Sequence, residues 1–249
     1  MITLQHIHKV FNDGTDREVA AVKDVSLIIQ KEEFVTMIGA NGSGKSTLLN
    51  LIAGSLIPDE GSIMIGDQNI TSLPEHKRCK WIARVFQNPL AGTASDLSVL
   101  ENFRLASIRT QSKSLAIGTH VTFRNMVKSK IETLGLGLEN KLEQPMGTLS
   151  GGQRQALTLL MAVMDDAEIL LLDEPTAALD PKTAALIMQI ADNLVRTFHL
   201  TAILVTHNLK DALNFGTRII QLHEGSISRD IQKKNVANLS ISNVYEWFE

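Results

Sequence analysis

Two short groups of residues combine side chains and backbone suited to chemistry. The first is Gly39-Ala40-Asn41-Gly42-Ser43-Gly44-Lys45-Ser46, which follows an apolar run at 34–38 and leads into helical composition at 46–53, stopping at Gly54. Strand, glycine-rich turn and helix in that order make a phosphate-binding loop. The glycines let successive backbone N–H groups turn inward around phosphate oxygens, and the positive end of the helix adds to the attraction. Lys45 would reach the β- and γ-phosphates, Ser46 would place its hydroxyl on Mg²⁺, and Thr47 would follow as a further phosphate contact. A glycine-rich surface turn is the bland alternative, and the flanking strand and helix count against it. The second group is Ile169-Leu170-Leu171-Leu172-Asp173-Glu174, four apolar residues ending in two carboxylates. A central strand that delivers acid to the edge beside a phosphate loop reads this way. Asp173 would hold Mg²⁺ through its water shell, and Glu174 would orient and deprotonate an attacking water. Taken alone, the same run is also an ordinary buried strand with an acidic exit.

These groups need a sheet to carry them. Residues 3–10 and 19–29 alternate on either side of Asn12-Asp13-Gly14 and predict strands of a small antiparallel sheet. A hairpin is predicted at 61–65 with Gly66-Asp67, and a buried strand at 82–86 ending at Gln87. From Asn88-Pro89 the pattern turns helical: Ser98 and Glu101 have capping-box spacing, and 123–134 predicts a helix stopped by Gly135 and Gly137. Helix at 153–164, strand at 169–173, helix at 182–195 and strand at 203–206 then alternate, which argues for a parallel sheet. A hairpin at 218–227 around Glu224-Gly225 and a helix at 242–248, whose Trp247 and Phe248 pack down, close the chain. No repeat or low-complexity stretch interrupts this order.

Composition narrows the function. With 249 residues, 44% hydrophobic and 20% charged, the chain buries one large domain or two small lobes and is not disordered. The 24 Lys+Arg against 27 Asp+Glu give a net charge of -3, without the basic field that holds nucleic acid. No apolar run approaches the roughly 18 residues of a membrane span, and residues 1–11 lack the form of a secretory signal, so a cytoplasmic place is expected. The single Cys79 can form neither an internal disulfide nor a cysteine-based zinc site. The basic run His76, Lys77, Arg78 and Lys80 reads as a solvated face rather than a docking patch.

The segment Leu149-Ser150-Gly151-Gly152-Gln153, followed by Arg154, Gln155 and a helix, resembles the signature motif of the ABC ATPase family. A serine hydroxyl, glycine amides and a helix dipole form an anion site without a lysine; as a local structure it is also a helix N-cap. The resemblance implies an α/β P-loop NTPase fold with a mostly parallel core sheet, an N-terminal antiparallel β subdomain and an inserted helical subdomain. As a single domain of 1–249, it would have its nucleotide-binding lobe at 1–87 and 149–249 and its helical insertion at 88–148. It further implies that Gln87 is the Q-loop residue sensing Mg²⁺ and water, and that Ala178-Leu179-Asp180 is the D-loop crossing between subunits. His207 would be the switch histidine on the γ-phosphate, although a lone histidine after a strand is often a core residue. Phe11 would stack on adenine where the family commonly has tyrosine, or serve as a core aromatic. Glu32 stands where the family commonly has glycine, so the turn into the strand at 34–38 is expected to differ.

The family's two half-sites meet only across a subunit interface, so the resemblance implies a dimer around two ATP with Mg²⁺; both Glu174 and the signature are present, which allows a symmetric homodimer with two competent sites. It implies a separate integral membrane permease, with the ATPase itself peripheral on the inner face of the membrane. Segments 86–94, 134–140 and 155–161 resemble a subgroup of bacterial uptake ATPases paired with a binding lipoprotein and a small permease, some assigned to aromatic amino acids. The first lobe also looks like ATPases of lipoprotein-release and other export systems. Soluble assembly ATPases, for example those of iron-sulfur cluster biogenesis, are the alternative class. Chromosome and repair members carry long coiled coils that this insertion cannot hold.

Overall fold

The computed structural model describes residues 1–88, 90–108, 118–165, 167–235 and 239–248. Pro89 and the side chain of Phe248 lie outside these described residues. In chain order the elements begin with β1 (Ile2–Phe11), β2 (Val19–Ile29), β3 (Phe34–Ile38), α1 (Lys45–Ala53), β4 (Glu60–Ile65), β5 (Gln68–Asn69), α2 (Glu75–Arg78) and β6 (Ile82–Val85). Next come α3 (Val99–Ser107), α4 (Val121–Glu132), α5 (Gly151–Ala162), β7 (Ile169–Asp173), α6 (Pro181–Thr197) and β8 (Thr201–Val205). The chain closes with α7 (Leu209–Asn214), β9 (Arg218–His223), β10 (Ser226–Gln232) and α8 (Ile241–Tyr245). No helix among the described residues is long and apolar enough to cross a membrane.

Two compact units emerge. The first comprises Met1–Arg78, Leu171–Glu174 and His199–Glu249. It holds an antiparallel sheet in the order β2-β1-β4-β5 and, separately, β10-β9-β3-β8 followed by the end of β7. β3 runs parallel to both β8 and β9. Every residue of β3 and of β8 is buried, the pattern of strands covered on both faces, which explains their unbroken apolar runs. Ile38, Ala212, Ile219 and Val244 form one cluster of this core, and Trp247 packs against it.

Arg78 departs from the expectation of a solvated basic face: it is 0% exposed. Its guanidinium donates to the carbonyls of Leu51, Ile52, Thr71 and Leu73 at 2.6 to 2.9 Å. Two of those carbonyls lie in the last turn of α1, whose final C=O groups lack partners within the helix. The side chain therefore caps the helix that starts at the phosphate loop. Burial lowers its pKa to about 10, which leaves it charged at neutral pH.

The second unit comprises Cys79–Leu170 and Pro175–Phe198. Its helices start at side-chain caps. Ser98 and Glu101 cap α3 reciprocally, as their spacing predicts, and His120 Nδ1 accepts from the Phe123 N–H to cap α4. Buried Asn102 accepts from the Ala94 N–H and donates to the carbonyls of Ala94, Leu97 and Ser98, fixing the segment that precedes α3.

Candidate functional site

The first unit assembles the phosphate loop and the acid strand. β3 ends at Ile38, the loop follows, and α1 begins at Lys45 with Gly44 in a left-handed conformation, φ 98. A Cβ on Gly44 would stand 2.3 Å from the Ala21 carbonyl oxygen, so only glycine fits. Lys45 is buried, and its ammonium donates to the carbonyls of Gly39 and Ala40, each at 2.8 Å. Burial lowers its pKa, while the nearby carboxylates of Glu174 and Asp173 pull in the opposite direction. That opposition brings the two sequence groups to one place. Asn41, Gly42 and Ser46 are exposed, Ser43 is buried and Thr47 is half-buried. Phe11 ends β1 half-buried, with the Lys9 ammonium 5.8 Å from its ring centre.

β7 buries Ile169 through Leu172 and presents Asp173 at its end. Glu174, the next residue, adopts φ 46, a conformation that costs a non-glycine residue energy and that clusters at functional positions. Its N–H donates to the Val205 carbonyl at 3.0 Å, which fixes it beside the end of β8. Its carboxylate lies 3.2 Å from Nδ1 of His207, two residues beyond β8. Asp211, on the first turn of α7, also interacts with His207; burial raises the Asp211 pKa against that attraction. An ammonium, a hydroxyl, two carboxylates and an imidazole thus lie at the C-terminal ends of β3, β7 and β8. Such a set can bind phosphate oxygens, hold a hard cation and take a proton from water. Asp173 and Ser46 are oxygen donors of the kind Mg²⁺ prefers. No group of three or more His, Cys, Asp or Glu among the described residues could hold a metal by itself. Phosphate oxygens and water would have to complete such a site.

The second unit carries the remaining candidates. Ser150 caps α5: its hydroxyl accepts from the Gln153 N–H and the Gln153 side chain accepts from the Ser150 N–H, both at 3.3 Å. The signature-like residues are therefore a capping box as well. Leu149 is buried behind them. A Cβ on Gly152 would lie 2.2 Å from Cγ2 of Thr183, and one on Gly151 would lie 3.4 Å from Leu179. Ala178, Leu179 and Asp180 thus run beside the start of α5. Asp180 caps α6 by accepting from the N–H groups of Lys182 and Thr183, and a hydrogen bond from the Thr183 side chain, together with those N–H groups, holds its carboxyl below the usual carboxylate range. Gln87 is exposed, two residues past β6. Arg154 follows the signature segment in sequence, without a role that its position assigns. It donates to the carbonyls of Met146, Gly147 and Leu149 and braces the turn that leads into the signature segment. Its adjacency to that motif was the one available signal.

The family model described as ABC transporter matches residues 22–177. The chain belongs to the ABC transporter family. It is 39% identical, over 100% of its own length and 99% of the relative's, to the tyrosine transport ATP-binding protein of Clostridioides difficile. It is also 35% identical to the macrolide export ATP-binding/permease protein of Campylobacter fetus, covering 94% of this chain and 35% of that protein. Among solved structures it is similar to a dimeric ATP-binding cassette in a post-hydrolysis state bound to ADP and Pi. That match has a TM-score of 0.80 and 32% identity, and covers 93% of this chain and 98% of the other. The expected α/β P-loop fold and the resemblance to ABC ATPases both hold. As an ABC cassette, the protein binds and hydrolyses ATP as the motor subunit of a transporter.

Proposed function

We propose that this cassette works as a symmetric pair driving a separate membrane permease that imports a small solute, an aromatic amino acid in the first instance. The observation that carries the pairing is that the chain has one phosphate loop and one signature-like motif, in different compact units. In this reading each subunit supplies the loop for one ATP and the signature for the other. Lys45 and the loop N–H groups bind the phosphates. Glu174, fixed by its backbone bond and faced by His207, takes the proton from the attacking water as its oxygen bonds the γ-phosphorus and the bond from that phosphorus to the bridging oxygen breaks, so that ADP is the leaving group and the γ-phosphoryl group becomes inorganic phosphate. Ser46 and Asp173 are the residues that would hold Mg²⁺, which when bound neutralises phosphate charge. Gln87 reports the ion and the water, Phe11 stacks on the base and Ala178-Leu179-Asp180 crosses to the partner subunit. ATP closes the pair to the extent that it binds the closed form more tightly, and hydrolysis removes that preference.

The tyrosine transport relative, matched end to end, supports the substrate class, and similarity to methionine import ATP-binding proteins supports import. A groove of about 450 Å³ in the second unit, lined among others by Phe86, Gly92, Ala94, Leu105 and Met161, is a suitable seat for a permease helix at the inner face of the membrane. A substrate-binding protein outside the membrane would complete the system. Export is the second reading, favoured by the macrolide relative. The test is capture of tagged Glu174→Gln protein from detergent-solubilised membranes in Mg-ATP. Recovery of an integral permease together with a binding protein is the expected result. A permease without a binding protein moves the reading to export, and soluble partners alone move it to an assembly ATPase.

A further inference from the structure

Gln155 lies on α5 two residues past Gln153, and it is 0% exposed. A buried carboxamide loses its hydrogen bonds to water and costs free energy unless the protein replaces them. Here the replacement is sparse. Nε2 donates to the Phe86 carbonyl at 3.5 Å, the long limit of such a bond. Oε1 is buried and has no hydrogen-bond partner among the described residues. The neighbouring residues Ala156, Leu157, Leu159 and Leu160 are all buried, so a hydrocarbon at position 155 would suit the packing better. A half-satisfied amide in such a place marks either strain or function. The group it faces decides between them, because Phe86 is the residue before Gln87. The carboxamide therefore stands, within one compact unit, between the helix that begins at the signature segment and the backbone that carries Gln87.

We propose that Gln155 is a positioning residue that couples the signature helix to Gln87. Its amide is slack in the structure described. When α5 engages phosphate, the bond to Phe86 tightens toward about 2.9 Å, and the unused acceptor Oε1 takes a second backbone N–H of the same segment. This inference rests on the reading of Gln87 as the group that senses the ion and the water.

Gln155→Met keeps length and volume and removes both polar atoms. Gln155→Leu carries the same test if the thioether does not pack. The expected result is an unchanged or higher thermal midpoint, a KM for ATP within about twofold of wild type and a kcat lower by about tenfold. Hydrogen exchange adds a site-resolved readout. In the wild-type protein a non-hydrolysable ATP analogue should slow exchange both at 149–155 and at 86–88, whereas in the variant only the response at 149–155 should remain. A folded variant with wild-type kcat, or one in which segment 86–88 still responds, overturns the proposal alone. A wild-type protein with no response at 86–88 overturns the reading of Gln87 and the proposal with it. A residue that only fills the core would leave kcat and both exchange responses intact whatever the midpoint did.

Discussion

In the first unit the candidate groups are bound to one another, whereas in the second they are bound to their own helix ends. Lys45 is buried against two loop carbonyls and drawn toward two carboxylates, and Glu174 is fixed between the Val205 carbonyl and His207. Ser150 and Gln153 instead satisfy each other through a reciprocal cap at 3.3 Å, and Asp180 caps α6. Charges held by charges and carbonyls cost little reorganisation when the reaction occurs. Long capping bonds between neutral groups are inexpensive to exchange for a phosphate oxygen. In the proposed function, then, the first unit carries the chemistry and the second the docking. Substitutions should accordingly cost turnover in the first and packing or coupling in the second.

The largest effect expected is at Glu174. Removing a general base lowers turnover by about 10²- to 10⁴-fold, and because Gln keeps the size and the Val205 bond is made by the backbone, nucleotide binding should survive in Glu174→Gln. Phosphate release together with equilibrium nucleotide binding reads both. A loss of hydrolysis below tenfold would break the view that the first unit holds the chemistry.

Arg78 tests a different kind of support in that unit. Arg78→Met keeps an apolar stem but strands four carbonyls, those of Leu51 and Ile52 buried and those of Thr71 and Leu73 partly so, and each buried stranded group costs about 1–3 kcal/mol before water or relaxation compensates. A net loss of about 3 kcal/mol in a denaturant titration is expected, with the phosphate-loop helix losing exchange protection at its C-terminal end. A loss under about 1 kcal/mol would mean that the cap is incidental.

For the second unit the comparison predicts a steric effect at Gly152. The side chain it would strike is Thr183, whose branched Cβ cannot rotate away easily. Gly152→Ala should cost about 1–3 kcal/mol from overpacking, and adding Thr183→Ser, which deletes the offending methyl, should recover most of the thermal midpoint. If the double variant stays as unstable as the single one, the space between α5 and α6 is not what glycine provides there.

How much of this could be read in advance follows from how local each feature is. The phosphate loop, the acid strand and the Ser98 cap are contiguous segments whose neighbours in sequence are their neighbours in space; α1 starts one residue before its expected start, β7 keeps its expected bounds, and α3 begins directly after Ser98. Arg78 was hidden because it sits in a basic run on a four-residue helix, and only the position of α1 decides which cation turns inward. The 3.2 Å approach of Glu174 to His207 joins residues 33 apart and depends on β7 and β8 ending level. Asp211 carries no motif, and Gln155 follows the signature segment without a role that its spacing assigns; the placement of both follows from burial, which local spacing does not fix.

Glu32 closes the comparison because it lies in the first unit, seven residues before the loop and on the far side of β3, where nothing chemical is expected. It occupies the turn into β3 with φ 61, so a glycine's conformation is kept at a residue that pays for a Cβ. Part of that cost is offset. The Glu32 N–H donates to Thr201 Oγ1 at 3.1 Å, and its carboxylate meets Nδ1 of His199, itself at φ 52, at 3.0 Å. Since both side chains are largely exposed, that pair is worth between nothing and about 1 kcal/mol. The backbone bond survives in Glu32→Gly, the unfolded chain gains freedom, and relief of the left-handed strain of about 1–2 kcal/mol outweighs both losses only narrowly. The expected result is a gain of about 0.5 kcal/mol with ATP turnover unchanged, read from denaturant midpoints and steady-state hydrolysis. A loss above 1 kcal/mol would show that the Glu32 to His199 contact, rather than the turn's backbone, holds the start of β3. The first unit would then rely on paired charges for its scaffold as well as for its chemistry.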